Sequence, residues 1–178
     1  MVPTLYIMSG LSFSGKTTLA KQLVDPLDAQ LLSYDIDIWS KYKPTLPEGI
    51  SKAEEWNVVE AKAREHIAEL LKTGNNVIFD DLSVEKRDRD LLRQTAEECG
   101  ANALVIYMDI PTEVVIQRQK QNETTHRRGL TSDDNMQLVI SQLHKPESDE
   151  MAVIVNQNST LDEIIQNIKQ KLKSAEVE

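Results

Sequence analysis

A single cysteine, Cys99, stands in 178 residues. An intramolecular disulfide and a multi-thiolate zinc site are therefore both excluded. Histidine is nearly as scarce: His66, His126 and His144 are scattered and show no metal-ligand spacing. Apolar runs are short, and none approaches the roughly 18 residues needed to span a bilayer. The opening residues, MVPTLYIMSG, lack the basic n-region of a signal peptide. These absences lead to the expectation of a soluble, cytoplasmic protein with no membrane partner. Positive charge is also in deficit, with 20 Lys and Arg against 29 Asp and Glu for a formal charge of −9. Nucleic-acid binders usually draw affinity from phosphate contacts and counterion release, so a nucleic-acid partner is disfavoured, although a local basic groove stays open.

What is present is ordinary globular composition, 40% hydrophobic and 28% charged. The length fits one domain, read here as residues 1–178, which buries roughly 70% of its unfolded surface without a staple. Continuous apolar runs predict buried strands over Thr4–Ser9, Gln30–Tyr34, Asn76–Asp80, Ala103–Met108 and Met151–Val155. Helical patterns lie between them, over Gly15–Val24, Ser51–Lys72, Val84–Cys99, Thr112–Asn122, Asp133–Leu143 and Leu161–Leu172. The second opens with a Ser-x-x-Glu capping box, Ser51 to Glu54, and carries an apolar stripe of Trp56, Val59, Ala63, Ile67 and Leu70. Alternating strands and helices predict an α/β layer fold with right-handed crossovers. Lys41–Ile50 reads as a loop, Glu123–Thr131 as a mobile polar segment, and Lys173–Glu178 as a frayed tail.

Residues Gly10-Leu11-Ser12-Phe13-Ser14-Gly15-Lys16-Thr17 match the phosphate-loop pattern GxxxxGK[ST], between a predicted strand and a predicted helix. Glycines at both ends let backbone N–H groups wrap an anion, and the helix N-terminus points at it. This assigns Gly10, Ser12, Phe13, Ser14, Gly15, Lys16, Thr17 and Thr18 to nucleotide binding. Lys16 would bridge the β- and γ-phosphates, and the Thr17 hydroxyl would ligate Mg²⁺. Neither an Asn-Lys-x-Asp guanine reader nor an Asp-x-x-Gly switch occurs, which excludes a small GTPase and favours ATP. The chain is short for a ring ATPase, leaving a compact kinase as the expectation.

Acidic residues follow three of the strands, two of them in pairs and the third as Asp109 after Met108. In Tyr34-Asp35-Ile36-Asp37 the carboxylates at i and i+2 would share one side of an extended chain, at the strand ends where open α/β sheets bind ligands. Asp37 is read as base or acceptor clamp and Asp35 as a partner of the metal shell, an order of roles that stays open. Phe79-Asp80-Asp81 ends a strand in the Walker-B manner, with Asp80 as the favoured metal-shell residue; whether Asp80 or Asp81 reaches the metal stays open, Asp81 being able instead to cap the next helix. In that helix Lys86, Arg87 and Arg89 read mainly as a solvated face.

Residues 112–128 hold four Arg and Lys against two Glu, a basic stretch within an acidic chain. Guanidinium groups suit the charge that spreads over γ-phosphate oxygens in phosphoryl transfer. Arg118 is the leading lid residue, followed by Arg127 and Arg128, with a lid expected over about 118–135. Asn156-Gln157-Asn158 is a polar turn near where a base could be read. Cys99 is expected to pack beneath a helix end. Trp39 and Trp56 are read as core, with Trp39 alternatively walling an acceptor site.

Together, GLSFSGKT, Tyr-Asp-Ile-Asp, VIFDD, AEECG, MDIP, Gln-Arg-Gln-Lys and Lys-Pro-Glu-Ser-Asp-Glu resemble, in that order, the small P-loop kinases of the AAA-domain type. These are relatives of polynucleotide 5′-hydroxyl kinase, zeta toxin, chloramphenicol phosphotransferase, gluconate kinase and shikimate kinase. The resemblance spans residues 4–160 and implies a P-loop NTPase fold, three-layer α/β/α. It further implies a five-stranded parallel sheet of order 2-3-1-4-5 and a small helical lid. Asp35 and Asp37 look like the Asp-x-Asp of shikimate kinases, where the first acid is associated with Mg²⁺ and the second with the acceptor hydroxyl. Arg118 matches the arginine that starts the family's lid. The chain departs from the pattern at Trp39 and Lys41, where many relatives have an acid followed by arginine, and at Lys120, where a second lid arginine is common. The glycine cluster that binds shikimate is missing.

The expectation is an ATP- and Mg²⁺-dependent transfer of phosphate to a hydroxyl of a small molecule, such as a sugar, nucleoside or antibiotic. A polynucleotide 5′-hydroxyl kinase and a non-catalytic ATP-binding regulator are the alternatives. A monomer and a homodimer are equally compatible with the sequence.

Overall fold

The computed structural model describes residues 2–125 and 132–175. Its elements run β1 (Thr4–Ser9), α1 (Lys16–Leu23), β2 (Ala29–Ser33), α2 (Ser40–Tyr42), α3 (Lys52–Lys72), β3 (Asn76–Asp80), α4 (Lys86–Glu98), β4 (Asn102–Met108), α5 (Thr112–Thr125), α6 (Asp133–Ser141), β5 (Ala152–Val155) and α7 (Leu161–Ala175). The five strands are all parallel, in the order β2-β3-β1-β4-β5. This is the order implied by the resemblance.

Strand side chains alternate between the two faces of the sheet, and the alternation sorts the core into two halves. Leu5, Ile7, Val77, Phe79, Val105 and Tyr107 face one way and pack on α3 and α4 through Val59, Ala63, Ile67, Leu71, Leu92 and Ala96. Tyr6, Met8, Ile78, Leu104 and Ile106 face the other way and meet Leu19, Ala20 and Leu23 of α1 and Ile164 and Ile168 of α7. Because both faces are covered, the central strands read as unbroken apolar runs. A smaller cluster joins Leu11, Val115 of α5 and Met136 of α6 beside the end of β1. Helix α3 begins with the expected capping box, Ser51 and Glu54 satisfying each other's backbone N–H.

Three expectations need correction. Strand β2 stops at Ser33, and Tyr34–Trp39 wind into a π-helical turn instead of continuing extended. Side-chain hydrogen bonds compete with the strand ladder here: the Ser33 N–H donates to Asp37 Oδ2 at 2.7 Å, and the Ser40 hydroxyl donates to Asp35 O and Ile36 O. The predicted loop over Lys41–Ile50 contains the end of α2 and a 3₁₀ turn, Lys43–Thr45. The buried stripe of α3 ends on Leu71, and Trp56 is 46% exposed. Arg127 and Arg128, which the sequence suggested for a lid, and His126 lie outside the described residues.

Candidate active site

The carboxyl ends of β1, β3 and β4 converge on the loop after β1. Gly10 has φ +134 and Gly15 φ +105, and Phe13 is left-handed at φ 63. A Cβ on Gly10 would stand 3.0 Å from Met108 Cβ and 3.2 Å from Met108 O, so β4 leaves room only for glycine. Left-handed residues within such a loop turn successive N–H groups inward, making an anion-binding concavity. Lys16, 7% exposed, donates from Nζ to Gly10 O and Leu11 O, each at 2.8 Å. Ser14 Oγ is buried without a hydrogen-bond partner. An orphaned hydroxyl costs about 1–3 kcal/mol, and a phosphate oxygen held by the loop would satisfy it. The residues therefore fit a nucleoside polyphosphate.

Arg118 of α5 reaches over the same loop, its Nη1 donating to Phe13 O at 3.1 Å and Ser14 O at 3.2 Å. Helix α5 is tied to α6 by Gln119 Nε2 donating to Asp133 Oδ1 at 3.2 Å. A groove of about 690 Å³ opens from Ser14, Gly15 and Thr18 past Arg118 to Asn156 and Gln157. The structure thus brings the polar turn after β5 beside the phosphate loop.

A second, more closed cavity of about 180 Å³ lies beside the end of β3 and the start of α4. Tyr34, Trp56 and Phe79 form its aromatic wall, and Glu60, Asp81 and Asp88 are among its acids. Tyr34 and Trp56 stack with ring centres 6.0 Å apart, and Trp39 stacks on Trp56 at 4.5 Å. Asp81 lines this cavity, next to Leu82, whose carbonyl accepts from the Gly10 N–H of the phosphate loop at 3.0 Å. Burial pushes its carboxyl up from the ordinary range, a push opposed by the Leu82 backbone and the Lys16 charge and reinforced by Asp88 and Asp35. Burial likewise raises Glu60 and Asp88, and Asp88 and Asp81 add repulsion at Glu60.

The two acidic motifs are arranged differently from the sequence expectation. Asp35 and Asp37 are exposed on the π-helical turn, where residues two apart do not share a face, and Asp37 caps the Ser33 N–H. Asp80 is buried at the end of β3. Asp81 does not cap α4, whose N-cap is Glu85; it faces the cavity and accepts from Ser83 Oγ at 3.3 Å. Among the described residues no cluster of three or more His, Cys, Asp or Glu could hold a metal. A Mg²⁺ of the phosphate-transfer kind needs only one or two carboxylates beside the phosphates, so Thr17 and Asp80 fit that role.

Sequence reasoning missed Arg89. Its side chain is fully buried, paired through Nε and Nη2 with Glu150 at 2.7 and 2.9 Å, and Nη1 donates to Ser83 O, Val84 O and His144 O. Lys145 pairs with Asp109. The Lys-Pro-Glu-Ser-Asp-Glu segment thus fastens onto both α4 and the end of β4. Helical spacing placed Arg89 beside Lys86 and Arg87 and gave no sign of its distant acid.

The AAA domain family model matches residues 5–146. The chain belongs to the AAA domain family. This AAA domain is 28% identical over 160 residues to a probable adenylyl-sulfate kinase of Aeropyrum pernix, covering 87% of this chain and 84% of the relative. It is 24% identical over 144 residues to a shikimate kinase of Caldicellulosiruptor bescii, covering 78% and 76%. Among solved structures it resembles Chaetomium thermophilum Kti12 in complex with ADP-AlF3, with a TM-score of 0.75, 18% identity and coverage of 95% and 97%. At that identity the likeness establishes the fold alone. The AAA domain is accordingly a small P-loop protein of the kinase type, and none of its described helices is long and apolar enough to cross a membrane.

Proposed function

We propose that this protein transfers the γ-phosphate of ATP to a hydroxyl of a small molecule. The observation that carries this reading is a groove opening at the phosphate loop together with a second cavity, whose wall residues Leu82 and Ser83 accept hydrogen bonds from Gly10 and Ser9 at the start of that loop and whose Asp81 feels the Lys16 charge. A nucleotidase or a passive binder needs only the first cavity; a transferase needs both. ATP would lie in the groove toward Asn156 and Gln157, and the acceptor in the cavity of Tyr34 and Asp81. The acceptor oxygen attacks the γ-phosphorus, the bond from that phosphorus to the β–γ bridging oxygen breaks, and the hydroxyl proton passes to Asp81. Lys16 and Arg118 meet the charge on the γ-oxygens. Mg²⁺, held at Thr17 and Asp80, would supply neutralisation of the β- and γ-phosphate charge. The ADP complex of the structural neighbour supports an adenine nucleotide as donor, and the kinase names of both relatives support phosphoryl transfer. The acids lining the acceptor cavity oppose a polynucleotide acceptor, whose phosphates they would repel.

The test is Mg²⁺-dependent ATP turnover against hydroxyl compounds and 5′-hydroxyl oligonucleotides. Acceptor-dependent turnover should vanish in Lys16→Ala. It should fall at least about a hundredfold in Asp81→Asn, within the usual range for a lost general base, while Asp37→Asn keeps most of it. Loss in Asp37→Asn with retention in Asp81→Asn would transfer the proton-accepting role to Asp37. ATP bound with no acceptor-dependent turnover in the wild type would favour a nucleotide-binding regulator.

A further inference from the structure

The acceptor cavity is more sharply defined chemically than by its position alone. Four carboxylates, Glu60, Asp81, Glu85 and Asp88, and one guanidinium, Arg64, line it, while Arg87 acts on Glu60 and Asp88, Arg89 on Asp88 and Lys16 on Asp81 from outside the lining. The Tyr34 side chain is 5% exposed, and its hydroxyl is buried with no hydrogen-bond partner. Tyr34 lines the cavity, and Asp81, Glu60 and Asp35 all act on its hydroxyl through space. The phenol therefore stands among acids, beneath the stacked rings of Trp56 and Trp39, and lacks a partner that the protein does not provide. Buried polar groups are normally satisfied, and carboxylates collected in a half-closed cavity repel one another unless a cation separates them. The faces of these aromatic rings attract cations as well. Lys43 Nζ already lies 5.4 Å from the centre of the Trp39 ring.

We infer that the cavity takes a small hydroxyl compound bearing a protonated amine, an amino alcohol or amino sugar, in preference to a neutral or anionic one. The ammonium would lie between Glu60 and Asp88 and against the Trp56 and Tyr34 rings. Its N–H groups would serve the carboxylates and the Tyr34 oxygen together. The substrate hydroxyl would then project toward Asp81 and the phosphate loop. This selectivity runs against the two curated relatives, since adenylyl sulfate and shikimate, the compounds in their names, are anions. An anion entering this cavity would add a further negative charge to four acids. The phosphorylation of such a compound rests on the kinase reading above; its binding does not.

Two matched series separate charge from shape: ethanolamine, ethylene glycol and glycolate, and glucosamine, glucose and glucuronate, at slightly acid pH where both amines are protonated. Binding is read by the fluorescence of Trp39 and Trp56 without nucleotide, and turnover by ADP release with Mg²⁺-ATP. The amine of at least one series should bind at least about tenfold more tightly than its neutral and anionic partners. The paired change Glu60→Gln with Asp88→Asn should erase that preference, and the Tyr34→Phe variant should weaken amine binding while keeping the aromatic wall. Lys16→Ala should abolish turnover and leave the fluorescence response intact. Amine binding without turnover would sustain this inference and remove the kinase reading. Turnover of glycolate or glucuronate in preference to the amines would sustain the kinase reading and overturn this inference. Equal response to all three charges, or no response to either amine, would overturn it as well.

Discussion

At the scale of single residues, the site depends on a few positions where one atom decides the outcome. Gly10 combines a φ of +134 with a close approach to Met108 of β4, whose Cβ and carbonyl oxygen a Cβ would meet at 3.0 and 3.2 Å. Gly74 has a positive φ too, +88, but a Cβ there would meet nothing within 4 Å. The two therefore separate backbone strain from collision. Gly74→Ala should cost about 1–3 kcal/mol, the usual strain of an unfavourable φ. Gly10→Ala should cost more and also weaken ATP binding by reshaping the phosphate loop. Thermal unfolding and nucleotide titration of the pair check this, and equal melting temperatures with equal affinities would refute the collision. Asp81 shows the same sensitivity in another form. It differs from Asp80 by one position on the chain, and that step carries it from a strand end to the lining of the cavity proposed for the acceptor.

Among the elements, α3 and the π-helical turn do the positioning. Helix α3 presents Trp56, Glu60, Ala63 and Arg64 to the cavity on successive turns, the spacing by which residues three and four apart share a face. Its register begins at the Ser51–Glu54 capping box, with Ser51 N–H donating to Glu54 Oε2 at 2.8 Å and Glu54 N–H to Ser51 Oγ at 3.3 Å. Ser51→Ala should lower stability by about 1 kcal/mol, read as a fall in melting temperature. Trp56 lies in the second turn, so the variant should also loosen its stacking and weaken the fluorescence response to an acceptor. An unchanged response would mean that core packing of Val59, Ala63 and Ile67 holds the helix alone. The turn after β2 contributes by ending the strand early. It swings Tyr34 beneath Trp56 and leaves Asp35 and Asp37 outside the cavity.

For the whole molecule, the Arg89–Glu150 pair joins regions 61 positions apart. It holds the Ser83–Val84 segment, one wall of the Tyr34–Asp81 cavity, against the segment leading to β5. Breaking a buried pair leaves an uncompensated charge and costs about 3–5 kcal/mol, so Glu150→Gln should lower stability by that amount. Burial pushes the Glu150 carboxyl up, but Arg89 and the Glu147 N–H hold it below its ordinary value of 4.5. An acid whose pKa is lower in the folded state stabilises the fold fully above its unfolded value. That contribution fades as the pH falls through the folded value. Acid unfolding of the wild type should therefore steepen below about pH 4.5, and Glu150→Gln should flatten that slope. Denaturant unfolding across the acid range measures both. The small cluster of Leu11, Val115 and Met136 links the phosphate loop to α5 and α6, so the arm bearing Arg118 is packed against the loop it covers.

The alternation of apolar runs and amphipathic helices, the phosphate-loop pattern and the capping box were determined by the sequence itself. Each is a local pattern in which the residues that interact are neighbours along the chain. Arg118 was legible for a related reason, because a basic stretch stands out in an acidic chain. The acceptor cavity was not legible. Its walls come from the end of β3, the turn after β2, and helices α3, α4 and α6, and no local spacing records that Tyr34 meets Trp56 or that Asp81 feels the Lys16 charge. The extended reading of Asp35 and Asp37 failed because side-chain hydrogen bonds from Ser33, Asp37 and Ser40 outcompeted the strand. Arg89 looked like a surface cation because its partner lies on a distant segment. Burial and charge pairing across the chain are settled only when the layers close, since the cost of desolvating a charge depends on which opposite charge the fold brings to it.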